Sequence, residues 1–130
     1  MGGKFVARVY DAGTAEGWKS AVVLAIKDKP ETPIDFPVKV ELYFCMPRPK
    51  GHYNSKGLKP DSPTYHSGKP DADNLAKAVL DALTQVQLWT DDSLVVELVI
   101  VKFYATHQKS GCIIQISRAS ILPFILNYEI

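Results

Sequence analysis

The chain has 130 residues, 46% of them apolar, and a formal net charge of +1 at pH 7. Such a chain fits one domain spanning 1–130 around one core, and it is no polycation, so affinity for a charged polymer has to come from local charge distribution. Neither a signal peptide, a transmembrane stretch, an internal repeat nor a heptad pattern is legible, so the expected compartment is the cytoplasm, where Cys45 and Cys112 stay reduced.

In chain order, Thr14 stands as an N-cap before Glu16–Ile26, where Trp18, Val22 and Ala25-Ile26 keep helical spacing; this predicts a first helix packed on a sheet. Val38, Val40, Leu42, Phe44 and Met46 alternate with Lys39, Glu41, Tyr43 and Cys45, the period of a half-buried strand. From Pro47 to Lys69 the chain is rich in Pro, Gly and Ser. It carries Arg48, Lys50, Lys56, Lys59 and Lys69 against Asp61, with Tyr53, Tyr65, His52 and His66 interspersed. A connection of that length in a small domain is functional or disordered, and its basic, aromatic-spotted composition predicts a flexible arm over about 47–69 that follows phosphates. The arm's basic residues are the candidate nucleic-acid contacts.

A second helix begins between Asp71 and Asn74. Pro70 disfavours helix in the residue before it, Asp71, Asp73 and Asn74 are capping types, and Leu75, Val79, Ala82, Leu83 and Val86 form one apolar stripe. Lys77 lies four residues after Asp73 and four before Asp81, on one polar face. Gln87–Ser93 then connects to an apolar, β-branched run from Leu94 to Tyr104, and a strand returning beside the helix start would bring Asp91 or Asp92 to Asp71 and Asp73. That run and Cys112–Ser117 flank a segment ending in Gly111, which reads as an antiparallel hairpin. The apolar tail Ile121–Ile130 is too short to span a bilayer and is expected to tuck in or to meet a second subunit. These elements predict an α+β fold: one two-layer domain, a mixed sheet of about four strands with two main helices packed on it.

The chemistry lies in the acidic cluster. Carboxylates with no paired His or Cys suit a hard cation, magnesium with manganese as a substitute, and such a cation completes its shell with phosphate oxygens, so the natural substrate is a phosphodiester. Taken singly, each aspartate is equally at home as a helix-dipole or turn residue. Asp71, Asp73, Asn74, Lys77, Asp81 and Asp91-Asp92 together form a much less common pattern.

Lys69-Pro-Asp-Ala-Asp-Asn-Leu-x-Lys-x-Val-Leu-Asp-x-Leu83 with Trp89-x-Asp-Asp-Ser93 resembles the signature of the RusA family of Holliday junction resolvases, endonucleases of bacteria and their prophages. The likeness extends from Met46-Pro-Arg-Pro-Lys-Gly-His-Tyr53 to Val95-Val96 and Lys102, roughly residues 36 to 104. It implies catalysis by Asp71, Asp73, Asp92 and Lys77, metal held by the three aspartates with Asp91 as a weaker ligand, and Asp81 as a helix-face partner of Lys77. It also implies a homodimer that cuts a four-way junction symmetrically in a bacterial or phage-infected cell. The family's opening strand carries a Gly-Pro-rich, Arg-Pro-Arg-like segment that is not matched; the chain opens almost at Phe5–Tyr10, so that edge strand is expected to be shortened or absent. Two other readings are a branched-DNA-binding protein without cleavage and a metal nuclease acting on forks or flaps. A nucleotide-sugar transferase built on Asp-Ala-Asp is disfavoured, since no glycine-rich nucleotide site accompanies it.

Overall fold

A computed structural model describes residues 5–10, 15–26 and 29–120. The Thr14 cap and the apolar tail lie outside them. The elements are β1 (Phe5–Tyr10), α1 (Ala15–Ala25), β2 (Val38–Met46), β3 (Tyr53–Asn54), β4 (Gly57–Leu58), α2 (Ala72–Gln85), β5 (Val95–Tyr104) and β6 (Gly111–Arg118). The expected α+β class is found, as a mixed four-stranded sheet and two helices.

The sheet order is β1-β6-β2-β5. β2 takes a central position with no exposed residue, and its Val38, Val40, Leu42 and Phe44 are fully buried. It pairs antiparallel with β6 and parallel with β5. A parallel neighbour requires a crossover, and α2 supplies it. The helices contribute Trp18, Val22, Leu75, Val79, Ala82 and Leu83 to the core, with Trp18 set edge-on to Phe44 at 5.7 Å. Trp18 and Trp89 are both buried.

Two sequence expectations change here. β5 and β6 do not form a hairpin, because β2 lies between them: Cys45 is aligned with Phe103 on one side and Gly111 on the other. The intervening segment passes over the end of β2. Gly111 has a packing reason instead of a turn reason, since a Cβ there would run into the Val9 carbonyl oxygen of β1. The N-terminal edge strand, expected to be shortened or absent, is not absent: it is six residues long and antiparallel to β6.

The C-terminal end of α2 is closed by backbone bonds from the residues that follow it. Gln87 takes a left-handed conformation (φ 60°), Gln87 N–H donates to Thr84 O at 2.9 Å and Leu88 N–H to Leu83 O at 3.1 Å. This is a Schellman cap, and Lys29 Nζ adds a 2.7 Å bond to Val86 O. Trp89, buried just beyond, donates Nε1–H to Thr84 Oγ1 at 2.8 Å. Ile34, ahead of β2, bonds to both Leu88 and Thr90, extending the parallel register backwards.

Candidate active site

The N-terminal end of α2 is built differently. Asp71 is the N-cap residue with extended backbone (φ −69°, ψ 147°), and its carbonyl accepts the first helical bond from Leu75 N–H, yet its carboxylate makes no capping hydrogen bond. The carboxylate instead faces Lys69 at 3.0 Å, with the two side chains 47% and 86% exposed. A pair so open to water contributes little stability and is easily exchanged for another ligand. Asp73 follows in the first turn, exposed, and Lys77 is exposed one turn further on. No ion pair joins Lys77 to Asp73 or Asp81 among the described residues.

Asp91 and Asp92 sit at the start of a short 3-10 turn, Asp92–Leu94, leading into β5. The Asp91 carboxylate receives Ser93 N–H at 3.5 Å, and the hydrogen bonds from Ser93 and Asp92 hold its pKa below the usual carboxylate value. Its neighbour moves the other way: the hydrogen bond shared with Asp91, followed by slight desolvation and the charges of Asp91 and Asp81, raises the pKa of Asp92.

The charge that reaches Asp92 from α2 is therefore that of Asp81, further along the helix than Asp73. The expected return of Asp91 or Asp92 to the helix start does not occur within one chain. α2 starts where Lys102, near the end of β5, bonds to the Pro70 carbonyl, whereas Asp92 stands before the first residue of β5. The intervening strand from Val95 to Lys102 covers roughly 23 Å at strand rise. Among the described residues no group of three His, Cys, Asp or Glu side chains converges to hold a metal ion. In kind, the exposed carboxylates fit a hard cation; in position, one chain does not assemble Asp71, Asp73 and Asp92, with or without Asp91, into a complete shell.

The arm over 47–69 carries more structure than a flexible loop. It contains a 3-10 turn, Lys50–His52, and the β3–β4 hairpin, and Thr64–His66 lines the free edge of β5 through Tyr104 N–H to Thr64 O at 2.9 Å and His66 N–H to Lys102 O at 3.1 Å. Arg48, expected to contact DNA, is half-buried and engaged internally. Its Nε–H donates to Ala105 O at 2.9 Å and its Nη1 to Pro63 O at 2.8 Å, and the guanidinium lies 5.1 Å from the Tyr104 ring centroid. His52 and His66 pack edge-on against the same ring at 4.9 and 5.0 Å. Burial and the Lys102 charge lower the pKa of His66, whose Nδ1 is buried without a hydrogen-bond partner. The arm's remaining cations divide: Lys50, Lys56 and Lys59 are exposed, while Lys69 pairs with Asp71. Tyr53 and Tyr65 are also exposed.

A family profile described as Endodeoxyribonuclease RusA matches residues 2–117. The chain belongs to the RusA endodeoxyribonuclease family. RusA proteins are Holliday junction endonucleases of DNA recombination that act on branched DNA, so this chain is an enzyme of the nuclease class. The match reaches well beyond the motif core on both sides and takes in β1 and all but the last residue of β6. A Bacillus subtilis (strain 168) protein named Uncharacterized protein YqaN is similar, 38% identical over 102 residues that cover 73% of this chain and 69% of the relative. No helix among the described residues is long and apolar enough to cross a membrane.

Sequence reasoning missed Lys102 as more than a motif residue. The signal was available: Leu98, Ile100, Lys102 and Tyr104 share one strand parity, and a lysine in that row needs polar partners.

Proposed function

We propose that this chain is a magnesium-dependent resolvase that cuts four-way DNA junctions by paired, symmetric incisions. Family membership carries the substrate class, and the carboxylates at the head of α2, exposed and free of capping duty, carry the chemistry. Asp71, Asp73 and Asp92, with Asp91 as auxiliary, are the ligands we assign to the cation, manganese being an acceptable substitute. When bound, such a cation lowers the pKa of a water and neutralises charge on the phosphoryl group. Lys77, one turn into α2, is assigned to the developing negative charge, and the helix N-terminus adds a favourable dipole. Lys50, Lys56 and Lys59 are assigned to DNA backbone phosphates, with Lys69 released to them when Asp71 takes another partner.

A homodimer fits two observations. A four-way junction has symmetry that a two-fold pair of active sites can match. One chain also leaves its carboxylates spread along α2, so ligands from a second copy would complement them. The edge of β5, where Val96, Leu98 and Val99 are exposed, is the surface we assign to that contact.

The test is cleavage of a synthetic four-way junction in magnesium, with a fork, a flap and linear duplex of the same sequence beside it. Paired nicks at symmetric positions in the junction alone are expected. Faster cutting of the fork or flap would replace the resolvase assignment by a general branch nuclease, and binding without cutting would leave a junction-recognition protein.

A further inference from the structure

Lys102 occupies a position on β5 whose partner in the parallel pair is Phe44, fully buried. An apolar side chain would suit the sheet there. Instead, the lysine Nζ donates to Gly68 O at 2.6 Å and to Pro70 O at 2.8 Å. The backbone carbonyl of the same residue accepts His66 N–H at 3.1 Å. One residue thus holds the chain at 66, 68 and 70, and the next residue is Asp71, the N-cap of α2, with Asp73 in the first turn.

The chemistry of this contact is specific. A charged donor makes stronger bonds to carbonyl oxygens than a neutral one, and the compact ammonium reaches two of them from a single nitrogen. Gly68, Lys69 and Pro70 are all exposed and have no core packing of their own to fix them. Their course is set by the sheet through Lys102.

We propose that Lys102 is a positioning residue for the cleavage reaction: by gripping the Gly68 and Pro70 carbonyls it sets the direction in which α2 presents Asp71 and Asp73. The inference rests on the endonuclease reading above. Lys102 differs in role from Lys77, because its donors are directed at backbone carbonyls and it acts on substrate through the two aspartates. Misplacing reacting groups by about 1 Å can cost a hundredfold in rate without changing which residues are present.

The full chain carrying Lys102→Met or Lys102→Arg separates this role from general stability. Three quantities are read: junction affinity, the single-turnover rate on junction already bound, and amide hydrogen exchange in the DNA-free protein at Leu75 to Ala78 against β2. Lys102→Met is expected to slow cutting of bound junction by about tenfold to a hundredfold. Affinity should stay within about twofold and exchange in the first turn of α2 should accelerate while β2 stays protected. Lys102→Arg, which keeps a charged donor, should recover most of the rate. Wild-type cutting by Lys102→Met overturns the proposal, as does a rate loss with unchanged exchange at Leu75 to Ala78. Equal acceleration of exchange in β2 would reduce Lys102 to a general stabiliser and also overturns it. If the unmodified protein cuts no branched DNA, the endonuclease reading fails and the catalytic half of the proposal with it; the exchange comparison still decides whether Lys102 holds the turn.

Discussion

The two ends of α2 solve opposite problems. At its C-terminus the Schellman bonds from Gln87 and Leu88 and the Lys29 ammonium occupy the carbonyls of Thr84, Leu83 and Val86, and the buried Trp89, bonded to the Thr84 hydroxyl, closes the core. At its N-terminus an aspartate in the capping position makes no capping bond, and its partner Lys69 is almost wholly in water. Capping by an aspartate is commonly worth about 1 kcal/mol. A helix that forgoes it keeps carboxylate oxygens available for something outside the fold.

That contrast can be broken most severely at the buried end. Trp89→Ala removes a side chain that is 1% exposed and takes away the Nε1–H donor to Thr84 Oγ1, which keeps its own bond to Leu80 O, so it is expected to cost about 3–5 kcal/mol in chemical denaturation. A cost under about 1 kcal/mol would show that the C-terminal end is not the structural one. The exposed end is probed through its neighbours: replacing Lys50, Lys56 and Lys59 together by glutamine should weaken junction binding and reduce the slope of log affinity against log salt by about 2 to 3. An unchanged slope would remove the arm from the DNA interface.

Two smaller effects sharpen the comparison. His66 has its pKa lowered from the ordinary 6.5, so its neutral form is favoured by folding. Its contribution is present above pH 6.5 and is lost as pH falls from there through the lowered value. Melting temperature should therefore decline over that acid range, and His66→Asn should flatten the decline; an equal decline in the variant would assign it to other groups. Gln87→Gly relieves a left-handed backbone position and should raise stability by about 0.5–1 kcal/mol without altering cleavage. Destabilisation would mean that the Gln87 side chain matters more than its φ.

Much of this was legible because burial follows period. The stripe Leu75, Val79, Ala82, Leu83 and the alternation along β2 identify their buried faces directly. Partnership was not legible. β5 and β6 look like a hairpin because they are neighbours in sequence and strand-like in composition, but β2 lies between them, covered on both edges and with no exposed residue, while β5 keeps an exposed edge position. The acidic motif shows which residues are chemical and gives no distance between them: eight helical residues from Asp73 to Asp81 extend about 12 Å, and Asp92 lies at the Asp81 end. Arg48 reads as a phosphate ligand in a basic loop, and only the fold shows the carbonyls of Pro63 and Ala105 that engage it. The order of the arm likewise comes from contacts with Tyr104 and Lys102, more than thirty residues downstream, which no local pattern encodes.

On the assignment proposed above, the exposed aspartates at the head of α2 hold a divalent cation for phosphodiester cleavage and contribute little to the fold. The most direct test of that assignment is the rate of four-way junction cutting as a function of magnesium concentration, for the wild type and Asp73→Asn, with melting recorded on the same samples. A saturable magnesium requirement is expected in the wild type, with a loss of at least about a hundredfold in the variant and melting curves that coincide. Cutting without a divalent cation, or a variant that cuts normally, would contradict it.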